Sequence, residues 1–476
     1  MSPAVTAKVL AWLLLILGAS QLVPWLAAWW YGETGAHFAA TGAAGVVVGG
    51  TLVVSLRPVS QPLRPRDGFV VVVAGWLLAS ALGALPYLFS HALPLTDALF
   101  ESTSGFTTTG ATVLANLESQ PRSLLLWRSL TQWLGGMGII VFAIAVLPLL
   151  GVGGMQLFRA ETPSPVAEKI APRMAETARR LWLIYLGFTA LEWLLLAVAG
   201  MPGFEALCHA LTNVATGGFS TRDDSLRAFD SAAIEWIVIV FMVIGGINYV
   251  IHFELLTGRI RRALRDSELR YYLAMLAAAS LVVFWLVTRE PSADEGFRSA
   301  AFQAVSMMTG TGYHSALFDS WPVAAQIVLL FLMVLGGMAG STTGAVKGLR
   351  VLLSFRVLSD ALAQLVHPRA VQRVKHGDSP VPGEVLTGVW GFLTAYALLI
   401  ALTTTVIAAE GFDLTTALSV GTSAVGNVGP ALGAAGPIEG YGAFGPGTKL
   451  LLSAVMIAGR LEILAVLVLF HPRFRR

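Results

Sequence analysis

Residues 98–110 read ALFESTSGFTTTG, and three later stretches follow the same plan: 206–218 ALCHALTNVATGG, 300–312 AAFQAVSMMTGTG and 417–429 ALSVGTSAVGNVG. Aligned without gaps on their last glycines, they bring two further columns into register. Ala98, Ala206, Ala300 and Ala417 stand twelve positions earlier, and the hydroxyl residues Ser104, Thr212, Ser306 and Ser423 stand six earlier. Agreement in columns the alignment did not use marks internal repetition. Alanine, serine and glycine are common in membrane helices, so chance is the competing explanation; position argues against it. Each window lies between two apolar runs, and the run that follows carries glycine at a comparable distance: Gly135-Gly136, Gly245-Gly246, Gly336-Gly337 and Gly459. The repeated unit is a span, a short reentrant helix, a glycine turn and a second span.

Working outward, the 476 residues are 55% hydrophobic and 12% charged, against about 25% charged in soluble domains. Runs long enough to cross a bilayer recur throughout, at about 9–31, 36–56, 68–90, 123–150, 177–200, 232–257, 269–288, 322–346, 384–409 and 447–470. The first is too long for a signal-peptide core and is read as an anchor. The expected fold is an all-α integral membrane protein of ten transmembrane helices, with four pairs flanking reentrant pore helices in a pseudo-fourfold arrangement. Residues 1–66 form two leading helices, and 67–158, 159–264, 265–366 and 367–476 form pore repeats one to four.

Basic residues cluster after alternate spans: Arg57, Arg64 and Arg66; Arg159, Lys169, Arg173, Arg179 and Arg180; Arg259, Arg261, Arg262, Arg265 and Arg270; Arg350, Arg356, Arg369, Arg373 and Lys375; Arg473, Arg475 and Arg476. Lys- and Arg-rich short loops stay cytoplasmic, so both termini are expected inside and the four windows on the outer side. The single Cys208 excludes an intrachain disulfide. The net charge of +3, spread over separate loops, speaks against a nucleic-acid partner.

Non-helical backbone at membrane depth must line a wet or ion-filled cavity, because hydrocarbon leaves its carbonyls unpartnered. Glycine allows the dihedrals that aim successive carbonyls at one axis, and a ring of carbonyls can replace the hydration shell of a monovalent cation. Calcium or magnesium would call for Asp or Glu at the turns, and the four turns have none.

FTTTGA (106–111), ATGGFS (215–220), TGTGY (309–313) and VGNVGP (425–430) resemble the four filter segments of the bacterial Trk and Ktr potassium-transport subunits, most nearly of the TrkH type. GGMAGSTTGAVK (336–347) and AGRLEI (458–463) also match that pattern, so the resemblance covers nearly the whole chain. It implies a potassium-binding filter at Thr108, Thr109 and Gly110, at Thr216, Gly217 and Gly218, at Gly310, Thr311 and Gly312, and at Asn427, Val428 and Gly429. Gly110 stands where related sodium-admitting transporters often carry serine, which implies preference for potassium. It further implies a homodimer in the bacterial inner membrane and a cytoplasmic nucleotide-binding regulatory ring of the TrkA type. Potassium would be the only metal, with no organic cofactor.

The eighth span breaks into Gly336, Gly337, Gly340, Ser341, Thr342, Thr343 and Gly344. Glycine in a helix interior costs about 1 kcal/mol relative to alanine, so four in nine residues predict unwinding. Close packing through small residues is the alternative; in the resembling family this stretch is a loop under the filter that gates it. Arg460 falls within the tenth span, where a charge needs a partner or water. It is expected to hold the loop through backbone carbonyls, unless it merely pairs with Glu462. Cys208, His209 and His314 are assigned no chemistry. A secondary transporter would also show broken helices and repeats, while a membrane enzyme would cluster His, Asp or Glu in its spans; such clusters are scarce here.

Overall fold

The computed structural model describes residues 3–56, 65–145, 170–289, 296–367, 374–376 and 379–474. Among these residues the regular structure is helical apart from a two-residue ladder, Lys375–His376 against Ser379–Pro380. Six helices are long and apolar enough to cross a membrane: Thr6–Tyr31, Ala36–Ser55, Arg66–Phe89, Glu176–Val198, Ser267–Val287 and Gly383–Ala409. Two bent pairs bring the number to as many as eight. A helix of about 20 residues rises about 30 Å, the depth of the hydrocarbon layer.

The surface is inverted relative to a soluble protein. Val54, Leu183, Leu194, Leu281, Phe331 and Leu398 are exposed, whereas Glu101, Arg128, Gln132 and Glu192 are buried. Lipid favours this arrangement, since it solvates apolar side chains and forces polar ones inward. The first two long helices approach backbone to backbone: a Cβ added at Gly45 would sit 2.9 Å from the Gly18 Cα.

Three of the expected spans are broken, two of them against expectation and the eighth as its glycines predict. The run 232–257 folds as Ala232–Gly245 and Tyr249–Leu256, bent by 102°, and 447–470 as Pro446–Arg460 and Leu464–Phe470, bent by 111°. At the first break Asn248 caps the new helix by accepting from the Val250 N–H; at the second Glu462 and Ile463 both adopt positive φ. The eighth run is helical only over Val323–Leu335 and resumes as Gly348–Val366. The fourth appears as Arg122–Ala145, and its expected end lies outside the described residues, as do Arg57, Arg64, Arg159, Lys169, Arg369, Arg373, Arg475 and Arg476.

Between the long helices sit four short ones, Leu95–Phe106, Gly203–Val214, Phe297–Thr309 and Leu414–Gly426. Their C-terminal halves are buried without interruption. Each packs against the long helices before and after it in sequence. The hydrophobic core accordingly divides around these short helices, with one large cluster joining the second and third repeats and separate ones in the first and fourth.

Candidate ion-binding site

All four short helices end in the same way. The residue two before the aligned glycine has positive φ in every repeat: Thr108 (51°), Thr216 (52°), Gly310 (68°) and Asn427 (56°). The next N–H returns to the carbonyl six residues before the aligned glycine: Thr109 to Ser104 (2.9 Å), Gly217 to Thr212 (2.8 Å), Thr311 to Ser306 (3.0 Å) and Val428 to Ser423 (3.0 Å). This is the long hydrogen bond of a Schellman ending. The hydroxyl column seen in the sequence is thus the set of residues whose carbonyls close the helices. The aligned glycines again have positive φ, 84° at Gly110, 78° at Gly218, 76° at Gly312 and 104° at Gly429. Left-handed geometry costs a non-glycine residue about 1–2 kcal/mol, so its recurrence at three such positions is a demand of the site.

The turns meet each other in cyclic order. A Cβ added at Gly110 would lie 2.2 Å from the Gly217 oxygen, one at Gly218 1.8 Å from that of Thr311, one at Gly312 2.0 Å from that of Val428, and one at Gly429 2.5 Å from that of Thr109. Repeat one touches two, two touches three, three touches four, and four closes on one. The twelve residues read as filter positions are therefore brought together.

Behind the ring lies a layer of buried polar contacts that hold it in place. Glu101, in the first short helix, accepts from Arg128 Nε (2.8 Å), from the Val113 N–H (2.9 Å) and from the Thr112 hydroxyl. Arg128 also donates to the Ser220 carbonyl at 2.9 Å and stacks over Phe219. The pair is buried to 1% and 0% exposure and joins the segments that leave the first and second turns. Lys449 similarly reaches Asp97 (2.9 Å), tying repeat four to repeat one. Removing one member of a buried pair costs about 3–5 kcal/mol because the other charge is stranded. Glu101→Ala is thus expected to lower the thermal unfolding midpoint of the detergent-purified protein sharply; an unchanged midpoint would deny the pair a structural role.

The segment 336–347 is a loop pressed against the same ring. The Thr342 hydroxyl lies 3.1 Å from the Thr216 hydroxyl and 3.1 Å from the Gly245 carbonyl, and a Cβ at Gly344 would meet the Gly426 oxygen at 2.4 Å. Ser341 and Thr343 bond to each other (2.8 Å), and Thr343 accepts from the Gly337 N–H (3.2 Å). Gly336 and Gly340 have φ of 72° and 77°. Arg460 donates to the Thr342 carbonyl at 2.6 Å. Glu462 turns away from Arg460 and accepts from Lys347 (2.8 Å) and Arg350. Glu268 ties the loop to the helix that follows it, accepting from the Ala339 N–H (2.7 Å) within the loop and the Leu349 N–H (3.1 Å) just past it.

His209 is satisfied by the Glu205 carbonyl and the Ser220 hydroxyl, and Cys208 is buried and free. Among the described residues the His314 Nε2 has no hydrogen-bond partner. Sequence reasoning missed Arg128, Gln132, Glu268 and Lys449 as supports. A charged or amide side chain inside an apolar run was the signal available for each.

The family model described as "TrkH: Cation transport protein" matches residues 34–474. The Salmonella typhimurium protein named Trk system potassium uptake protein TrkH is 41% identical, over 98% of both chains. The Halomonas elongata protein named TrkI is 37% identical, over 98% of this chain and 96% of its own. The crystal structure of the potassium transporter TrkH from Vibrio parahaemolyticus superposes with a TM-score of 0.92 at 36% identity, over all of both chains. A shared length, a shared fold and identity well above chance lead to one conclusion: this chain belongs to the TrkH family of cation transport proteins.

Proposed function

We propose that the protein carries potassium ions into the bacterial cell through the ring formed by the four glycine turns, with backbone carbonyls as ligands. The observation that supports this reading is the cyclic contact of Gly110, Gly218, Gly312 and Gly429 with the neighbouring carbonyls, which gives four equivalent backbone segments around one axis. Relatives named as potassium uptake proteins supply the ion. The loop at 336–344 gates the path, and Arg460 holds it shut. In this reading the broken helices count as spans, giving ten in all with four reentrant helices, repeats at 67–158, 159–264, 265–366 and 367–476, and both termini cytoplasmic. The protein works as a homodimer in the inner membrane with a regulatory nucleotide-binding ring of the TrkA type on its basic cytoplasmic loops.

Radioactive rubidium uptake into proteoliposomes, with potassium or sodium as competitor, tests the ring. Gly110→Ser adds a Cβ 2.2 Å from the Gly217 oxygen at a φ of 84° and is expected to shift competition toward sodium. Potassium-blocked uptake with unaltered preference in this variant would place the filter elsewhere. Ion-coupled transport is the second reading. One observation favours it: Glu192, in the span Glu176–Val198, is fully buried and, among the described residues, its Oε2 has no hydrogen-bond partner. Uptake that saturates and requires a proton gradient would support coupling over simple conduction.

A further inference from the structure

We propose that Gln132 is a specificity-determining residue of the ring, because its side-chain amide shares one of the four equivalent turn carbonyls with the ion. The inference rests on the carbonyl-ring reading above. Gln132 Nε2 donates to the Gly217 carbonyl at 2.6 Å, and Gln132 Oε1 accepts from the Phe219 N–H at 3.0 Å. The Phe219 N–H can only donate, so it fixes which end of the amide faces Gly217. The side chain is fully buried and so close to Gly217 that a Cβ there would meet it at 2.5 Å; the first glycine of ATGG, which has no positive φ of its own, is thus required by the amide.

The other repeats lack this contact. Gln132 stands three residues before the first glycine of its helix, and the same count from Gly245, Gly336 and Gly459 reaches Met242, Met333 and Met456, all three buried. Three buried thioethers and one amide therefore occupy matching positions in the four repeats. Among the described residues the equivalent carbonyls of Thr109, Thr311 and Val428 receive no side-chain hydrogen bond, and the Asn427 amide is spent on the Thr109 hydroxyl and the Met456 carbonyl. A carbonyl has two lone pairs. Committing one to an amide lowers the field that this oxygen offers an ion and stops it from swinging inward. Both effects disfavour the smaller, harder sodium ion relative to potassium.

The test compares sodium and potassium as competitors of rubidium uptake for wild type, Gln132→Met, Gln132→Glu and Gly110→Ser in one preparation. Gln132→Met installs the side chain of the other three repeats and is expected to lower the preference for potassium about fivefold, the worth of roughly one hydrogen bond. Gln132→Glu keeps an acceptor for Phe219 but can donate to Gly217 only when protonated. Its preference should fall as pH rises while that of wild type stays level, a response that a packing role would not produce. Wild-type preference in Gln132→Met, or a pH-independent wild-type preference in Gln132→Glu, overturns the proposal. Failure of both variants to fold or transport overturns it too, by making Gln132 a residue of assembly. If Gly110→Ser also leaves preference unchanged, the ring reading itself fails; if Gly110→Ser alone shifts it, only the role of Gln132 does.

Discussion

Gly218→Ala is expected to reduce rubidium uptake by two orders of magnitude or more while leaving the protein folded. The left-handed φ of 78° alone would cost an alanine about 1–2 kcal/mol, which a membrane protein of this size can absorb. The new Cβ, however, would sit 1.8 Å from the Thr311 oxygen and 2.9 Å from the Thr311 carbonyl carbon. Both are backbone atoms of a turn closed by its own Schellman bond, so no side chain can swing aside. The strain must be released by moving the second turn away from the third, and by more than at Gly110, whose added Cβ would lie 2.2 Å from the Gly217 oxygen and 3.3 Å from its carbon; the larger displacement breaks the joint and stops flux, where the smaller one at Gly110 alters preference. Gly200→Ala is the control. Gly200 also has positive φ, 98°, but nothing lies within 4 Å of its added Cβ, so uptake per folded molecule should persist. Equal transport by the two variants would mean that the close contact is not part of the pathway.

The sequence made the repeat legible because its cause is local. A Schellman ending needs a helix, a residue tolerant of left-handed geometry and a short return, all within seven residues, so its trace survives as columns in an alignment. Asn427 and Gly310 are readable as left-handed positions on propensity, whereas Thr108 and Thr216 are not; they adopt φ of 51° and 52° because their repeats impose it. The unwinding after Leu335 was legible from the glycine run for the same local reason. The 102° and 111° bends were hidden: Gly245-Gly246-Ile247-Asn248 and Arg460-Leu461-Glu462 mark both places, but a count of apolar residues measures length, not direction. Contacts between repeats were also hidden. Lys449 with Asp97 and Arg128 with Ser220 join residues far apart in the chain, and only the cyclic packing brings them together. The Gln132–methionine column lies between these cases: it emerges from the sequence once the second-helix glycines are aligned, but its meaning requires the amide's hydrogen bonds.

Arg460→Ala is expected to raise rubidium flux about tenfold with potassium preference unchanged. The guanidinium is 2% exposed and donates to the Thr342 carbonyl at 2.6 Å, while among the described residues its Nε and second terminal nitrogen have no hydrogen-bond partner. Glu462 is engaged with Lys347 and Arg350, so the obvious counter-charge is committed elsewhere. Two effects then act together on a cation approaching the loop. A charge-assisted hydrogen bond, worth about 1.5–3 kcal/mol, holds the loop tip where Thr342 touches Thr216, and in the proposed reading a positive charge stands beside the path. Alanine removes both. It leaves no stranded charge behind, so the thermal midpoint should hold or rise. That separates the variant from Glu101→Ala, where stability falls. Arg460→Lys keeps the charge but loses the reach to Thr342, and flux between wild type and alanine is expected if tether and charge each contribute. A folded Arg460→Ala protein with unchanged or lower flux would remove Arg460 from the gate and leave it a role in assembly.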